Sequence, residues 1–143
     1  MGLNLPEVTC VWPLQCSLGE GPLWWNGGLW FTDIKQKIIY RFAPSGGPSR
    51  SWPAPSEVGF LAPLANGHFI AGAKAGLLDF DPATGSFVRM RAVEPDRPGN
   101  RLNDGTVDQK GRLWFGSMDD GETEPSGALY RFRHGALSVM DSG

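Results

Sequence analysis

One six-residue segment, Asn100–Gly105, brings a guanidinium, two carboxamides and a carboxylate together, with Gly99 directly before it. The fork of Arg101 donates several hydrogen bonds at once to carbonyl or hydroxyl oxygens, and the Asn103 carboxamide both donates and accepts. Such groups suit a small polyhydroxylated ligand. The alternatives are structural: Arg101 as a surface salt-bridge partner, Asn103 as a turn residue, and Asp104 as turn chemistry before Gly105.

A second candidate is Glu20, the single carboxylate of the segment Leu18–Pro22, which also contains two glycines and a proline. Hard divalent cations take carboxylate and amide oxygens as ligands, so Glu20 is a candidate metal ligand. One ligand does not complete a metal site, however. The alternative is a solvent-facing turn residue.

The elements that would position these residues are short, aromatic-rich strands separated by Gly and Asn turns. Their pattern repeats about every 40 residues, and Gly28, Gly67 and Gly111 mark equivalent turns. Leu-Trp-Phe recurs at 29–31 and 113–115, and Tyr-Arg-Phe at 40–42 and 130–132. A repeat of this length without a convincing helix is typical of β-propeller blades. A β-sandwich is the alternative, but sandwiches do not need internal sequence repetition.

We therefore predict an all-β chain, a partial β-propeller covering residues 1–143, with approximate blades at 16–58, 59–98 and 99–143. Closed propellers typically have about four to eight blades, so three cannot close a ring. We expect either that the chain is roughly half of a longer protein or that two or more chains complete one ring. A short strand is also predicted at Val8–Trp12, and a fourth blade is expected to begin near Val139.

Composition excludes several classes of function. The net charge is −2 and there is no run of Lys or Arg, which argues against nucleic acid as a partner. No apolar run approaches the roughly 18–20 residues of a membrane span, and the first residues lack the pattern of a signal peptide. Cys10 and Cys16 fit free thiols in a reducing cytoplasm, with a disulfide as the alternative.

Leu18–Pro22 and Asn100–Gly105 resemble motifs of the family of regucalcin (senescence marker protein), gluconolactonases and luciferin-regenerating enzymes. The resemblance runs from about Cys16 to the end and covers the N-terminal half of the family. It implies a six-bladed propeller with a divalent metal at the mouth of the central channel. Further matching segments are Trp30–Ile34, Gly76–Leu78, Gly111–Met118 and Gly127–Arg131.

The resemblance also implies roles for individual residues. Glu20 matches a family metal ligand, for which calcium, zinc, manganese or magnesium is the expected cation. Arg101 and Asn103 match residues that contact the substrate. The family's other metal ligands and its general base lie beyond Gly143, so no catalytic residue is expected within this chain.

A further family glutamate, which contacts sugar hydroxyls, lies in the loop after Ser117 and Met118. Ungapped counting places Gly121 at that position, between Asp120 and Glu122. Because Glu122 is the neighbouring glutamate, it is the candidate that we carry forward for contact with the substrate.

By resemblance, the activity is metal-dependent hydrolysis of a sugar lactone, in which water attacks a metal-polarised lactone carbonyl. The missing ligands leave two alternatives open. One is a propeller fragment that binds without catalysis. The other is a self-complementing half, in which two copies form a homo-oligomeric six-bladed ring with two Glu20 side chains at its mouth.

Overall fold

The computed structural model describes residues 6–142, and every helix or strand in that range is a β-strand. The prediction that no signal peptide is present therefore falls partly outside the described residues. The strands are β1 (Gly19–Trp25), β2 (Gly28–Asp33), β3 (Ile38–Phe42), β4 (Arg50–Pro53), β5 (Val58–Pro63), β6 (Phe69–Ala73), β7 (Gly76–Asp81), β8 (Ser86–Ala92), β9 (Asn100–Val107), β10 (Leu113–Asp119), β11 (Ala128–Arg133) and β12 (Ala136–Ser142).

Each run of four consecutive strands forms one antiparallel sheet, giving blade 1 (β1–β4), blade 2 (β5–β8) and blade 3 (β9–β12). The first strands of the three blades are neighbours, since β5 contacts both β1 and β9. They form the inner wall of the array. The prediction of an all-β partial propeller is confirmed, whereas the blade limits at 16–58, 59–98 and 99–143 stay a prediction.

The sequence pattern misses the outermost strand of every blade. The sequence pattern predicts no strand at β4 or β8, and β12 occupies the place where a fourth blade is expected to begin. The reason is burial, because an outermost strand packs few of its side chains. In β8 every residue except Phe87 is exposed, so the strand lacks a clear alternation of apolar and polar residues.

The strand predicted at Val8–Trp12 is wrong. These residues have no regular structure, and Val8 and Val11 are largely exposed. A β-branched run forms a strand only when another strand pairs with it, and none does so among residues 6–142. Trp12 instead packs its ring against Tyr40 and Phe42, on the face of blade 1 that points away from blade 2.

Two apolar cores lie between the blades. Trp30 of blade 1 contacts Trp52 and Phe69, so one core joins blades 1 and 2. Phe60 of blade 2 contacts Phe115, so the other joins blades 2 and 3. Residues 6–142 contain no helix that is long and apolar enough to cross a membrane.

Four tryptophans of similar sequence surroundings differ in whether they lie in a core between blades. Trp24, Trp25, Trp30 and Trp114 all fit an interblade core by sequence, but only Trp30 lies in one. Trp24 and Trp25 end β1 beside the hairpin turn and are 61% and 42% exposed. Trp114 alternates with the buried Leu113 and Phe115, so it lies on the face of blade 3 that points away from blade 2.

Candidate functional site

The three inner strands share an irregularity at the same level. In each of them the pairing with the second strand skips one residue, which is the mark of a β-bulge. The bulges lie between Glu20 and Leu23, between Val58 and Phe60, and between Leu102 and Gly105. The Asn100–Gly105 segment is therefore the beginning of an inner strand and not a turn. Bulges redirect side chains and are frequent beside active sites.

Glycines bring the three bulges into contact. A methyl group added at Gly21 would lie 2.8 Å from the Gly59 carbonyl oxygen. One added at Gly59 would lie 2.6 Å from the Leu102 carbonyl oxygen and closer still to that of Asn103. The backbones of β1, β5 and β9 therefore touch at this level. Glu20 and Asn103 lie at one height of the wall, separated only by the width of β5.

Glu20 is exposed, and its backbone is held on both sides. Its carbonyl oxygen accepts a hydrogen bond of 3.4 Å from the Thr32 hydroxyl. The loop before it is fixed by the buried Asp33 carboxylate, which accepts backbone N–H bonds from Ser17 and Leu18. Burial raises the pKa of Asp33, but its backbone hydrogen bonds, first among them that of Gln36, lower this pKa by more. Asp33 therefore acts as an anchor for the segment that presents Glu20.

Arg101 and Asn103 form a connected pair. Arg101 is only 3% exposed, and its Nη1 donates to Asn103 Oδ1 at 2.8 Å. Asn103 itself is exposed. Oδ1 has two acceptor positions and uses one for Arg101, so the amide Nδ2 and the second acceptor position of Oδ1 are both left for a ligand. The pair therefore offers hydrogen-bond donors to the oxygens of a bound molecule.

A third residue, Asp120, holds the pair, and in the sequence it stands out only as a neighbour of Gly121. The carboxylate of Asp120 accepts from Arg101 Nε and from Lys35 Nζ, each at 2.7 Å, and Lys74 Nζ lies 3.9 Å away. The hydrogen bond from Lys35, and then that from Arg101, lowers the pKa of Asp120 although burial opposes the shift. The sequence offers one signal by which this group could have been found. Each blade has one of its charged residues just after its second strand, namely Lys35, Lys74 and Asp120.

Asn100 has a structural role at the start of β9. Its Nδ2 donates to Glu94 at 2.8 Å, and its Oδ1 accepts from the Ser126 hydroxyl at 2.6 Å. Glu94 also accepts from the Ser117 and Tyr130 hydroxyls, both at 2.7 Å. This partly buried network fixes the backbone from which Arg101 and Asn103 extend.

Glu122 lies in the loop between β10 and β11, with an exposed side chain and a left-handed backbone at φ +57°. Its backbone N–H donates to the Asp119 carbonyl oxygen at 3.1 Å. In this loop it is Asp120 whose side chain contacts Arg101. Contact between Glu122 and a substrate stays a prediction.

The donor set for a metal is incomplete in the described chain. Residues 6–142 contain no group of three or more His, Cys, Asp or Glu side chains placed to hold a metal ion. The Glu20 carboxylate takes no part in the side-chain hydrogen bonds and ion pairs of this range, so it is available as one ligand. A cleft of about 330 Å³ runs along the inner strands here, lined by Gly21, Pro22, Leu23, Phe60, Leu61, Asp104, Gly105 and Thr106.

Three four-stranded blades whose first strands lie side by side along one inner wall define part of a β-propeller. Residues 18–143 match the SMP-30/Gluconolactonase/LRE-like region, and the chain belongs to this family. Among its relatives, an L-arabinolactonase of Azospirillum brasilense is 33% identical over 130 residues, which are 87% of this chain and 43% of that enzyme. Regucalcin of Oryctolagus cuniculus is 33% identical over 134 residues, with 87% and 44% covered.

Solved structures agree with the fold. A calcium-binding regucalcin from Agrobacterium tumefaciens superposes with a TM-score of 0.84 at 27% identity, over 89% of this chain and 44% of that one. A luciferin-regenerating enzyme superposes with a TM-score of 0.81 at 28% identity, over 89% and 46%. The regucalcin and gluconolactonase neighbours are six-bladed propellers, of which the chain covers 44–48%. The chain likewise spans less than half the length of the L-arabinolactonase and of the Oryctolagus cuniculus regucalcin.

Proposed function

We propose that this chain carries the substrate-orienting half of an active site that hydrolyses a sugar lactone. The observation that carries the proposal is the Arg101–Asn103 pair, which is joined by a hydrogen bond of 2.8 Å and whose exposed Asn103 lies at the same bulge level of the inner wall as Glu20. The likeness to an L-arabinolactonase supports the reaction class. It makes L-arabinono-1,4-lactone and glucono-1,5-lactone the first substrates to test.

In this proposal, Arg101 and Asn103 bind oxygens of the lactone and hold its carbonyl in a fixed orientation. Preorganised donors of this kind stabilise the negative charge that develops on the carbonyl oxygen during hydrolysis. Glu122 would contact a sugar hydroxyl from the loop after β10. The base that activates water is expected outside these 143 residues.

Glu20 would supply one oxygen ligand to calcium, zinc, manganese or magnesium, with the other ligands coming from outside the described residues. A divalent cation, when bound, supplies a Lewis acid for the lactone carbonyl. A calcium-binding regucalcin among the structural neighbours supports a metal in this family. We also propose a cytoplasmic location, since Cys10 and Cys16 are both free thiols.

The test is a pH-stat assay of both lactones at high protein concentration, with each of the four cations added in turn. Because the base and the other metal ligands are expected outside these 143 residues, we expect a metal-stimulated rate above spontaneous hydrolysis only when a chain that supplies them is present, and we expect Arg101→Ala to abolish that rate. Arg133→Ala is the matched control, because Arg133 is exposed at the end of β11. An absence of stimulation by any cation, with that chain present, would overturn the enzymatic proposal.

The second candidate is a propeller fragment that binds without catalysis, and the incomplete donor set favours it. Titration calorimetry with L-arabinonate separates the two candidates, because binding without turnover supports the fragment.

The self-complementing ring would seat the Trp114 face of one copy on the Phe31 face of another. That face is already covered by Trp12 in this chain, with ring centroids 6.0 Å apart. A ring of two copies therefore requires Trp12 to move away. Gel filtration tests it, since a stable monomer excludes the ring.

A further inference from the structure

One group of charged side chains joins all three blades at the channel mouth. We call it the mouth ion cluster, and it consists of Lys35 from blade 1, Lys74 from blade 2, and Arg101 and Asp120 from blade 3. Asp120 is its centre and its only anion. The exposed fractions of the side chains range from 3% for Arg101 to 43% for Lys35, so the buried member is the guanidinium.

The geometry of Arg101 follows from two hydrogen bonds. Its Nε donates to Asp120 and its Nη1 donates to Asn103. Two directed N–H bonds on different nitrogens fix both the position and the plane of the guanidinium. Without the Asp120 bond the side chain regains rotamer freedom, and a ligand would have to order it again on binding.

Asp120 is itself held from several directions. Its backbone N–H donates to the Gly99 carbonyl oxygen at 3.0 Å, which ties the loop to the start of β9. Lys35 and Lys74 approach its carboxylate from the two other blades. The position of the Asp120 carboxylate, and with it the orientation of the Arg101 guanidinium, therefore depends on the relative positions of all three blades.

We propose that Asp120 is a positioning residue, which orients Arg101 and through it Asn103, and that Lys35 and Lys74 couple this orientation to blades 1 and 2. The proposal deepens the proposed function and rests on it, since it assumes that Arg101 and Asn103 bind the lactone or its acid. Asp120 need not touch the substrate.

Asp120→Asn is the direct test, because it keeps the size of the side chain and removes its charge. Hydrogen bonds to charged groups contribute more than neutral ones, so we expect the Kd for L-arabinonate to rise roughly 10- to 100-fold. Asp119→Asn is the matched control, since the neighbouring Asp119 carboxylate binds the backbone of Thr123 and Glu124 and not Arg101. We expect it to leave the Kd unchanged.

A double-mutant cycle separates positioning from a general loss of structure. In an Arg101→Lys background, Asp120→Asn should add no further loss of affinity, because its effect passes through Arg101. A fully additive loss would overturn the proposal. Thermal unfolding of each variant checks that the fold is kept.

A measurement without ligand tests whether Asp120 positions Arg101, even if no ligand binds to the chain. In the NMR spectrum of the 143-residue chain, the Arg101 Nε–H signal should be protected from exchange and should lose that protection in Asp120→Ala, which removes the acceptor, but not in Asp119→Ala. An unchanged signal in Asp120→Ala overturns the positioning role. Failure of the wild-type chain to bind L-arabinonate overturns the proposed function instead, and the NMR result then stands alone.

Discussion

The middle blade and its two neighbours have the same architecture but make different contributions to the channel mouth. At the shared bulge, blade 1 presents Glu20 and blade 3 presents Asn103, both exposed. Blade 2 has Val58 and Gly59 there, and both are buried. The blades that flank the middle one therefore carry the polar groups, while the middle one carries almost none.

The difference follows from burial. The first five residues of β5 and all of β6 are buried, because blade 2 is packed on both faces. In β1, by contrast, most residues are exposed. A strand that is covered on both sides has to be apolar or small. Blade 2 thus acts as a spacer, and the backbone contacts of Gly59 set the separation of Glu20 from Asn103.

The largest expected effect comes from Trp30, which faces the middle blade. Trp30→Ala should lower the free energy of unfolding by about 3–5 kcal/mol, because it empties a buried aromatic site beside Trp52 and Phe69. Trp114→Ala is its counterpart on the outward face of blade 3 and should cost less, about 1–2 kcal/mol, because it removes a half-buried ring and its Nε1 hydrogen bond of 2.9 Å to Asp108. Denaturant unfolding of both variants measures the difference. If both variants lose the same free energy of unfolding, the outward face of blade 3 is as well packed as the face of blade 1 that contacts blade 2, and the contrast between these faces is wrong.

The second prediction concerns Gly59, through which blade 2 acts as a spacer. Gly59→Ala places a methyl group against the Leu102 and Asn103 carbonyl oxygens, so we expect a loss of about 1–3 kcal/mol and weaker binding of L-arabinonate. In Gly116→Ala the methyl group would meet nothing closer than 3.9 Å, so this variant should stay within about 0.5 kcal/mol of wild type. Unchanged ligand affinity in Gly59→Ala would contradict a role for this contact in placing Asn103.

The two tyrosines lie on different faces, because Tyr130 belongs to the core between blades 2 and 3 and Tyr40 lies on the outward face of blade 1. Their ionisation in alkaline solution therefore provides a further comparison of the two faces. Burial, and then the hydrogen bond to Glu94, raises the pKa of Tyr130 to about 12. Since the unfolded tyrosine ionises near pH 10, stability should fall as the pH rises from about 10 towards 12, and Tyr130→Phe should weaken that fall. Tyr40, on the outward face under Trp12, also has a raised pKa. Unfolding free energies at several alkaline pH values, with and without Tyr130→Phe, test this.

The smallest effect on stability is expected at the wall itself. Glu20→Gln should change the free energy of unfolding by no more than about 0.5 kcal/mol, because the side chain is exposed and makes no ion pair within residues 6–142. Calorimetry with calcium and zinc should show weaker cation binding than in wild type. A stability loss well above 1 kcal/mol would instead assign Glu20 a structural role.

Much of the fold could be predicted because burial leaves a pattern in the strands that face a neighbouring blade. The recurring Leu-Trp-Phe at 29–31 and Tyr-Arg-Phe at 40–42 indicate strands in this way, and they lie in β2 and β3. The outermost strands leave no such pattern. Of the site, Arg101 and Asn103 could be singled out because they are close in sequence. Asp120 is harder to single out: its place after a second strand is its one signal in the sequence, and its partner Lys35 is 85 residues away, so only the packing of the blades brings the two together.

The bulge in β9 changes the parity of the strand. In an unbroken strand, residues two apart share a face, so Leu102 and Gly105 would point to opposite sides. Here both face the middle blade: Leu102 lies in the core, and a methyl group at Gly105 would touch the Phe60 ring at 2.9 Å. The two residues between them, Asn103 and Asp104, are both exposed. The wall thus gains two consecutive polar side chains where regular alternation would supply one, and the packing beyond them stays in phase.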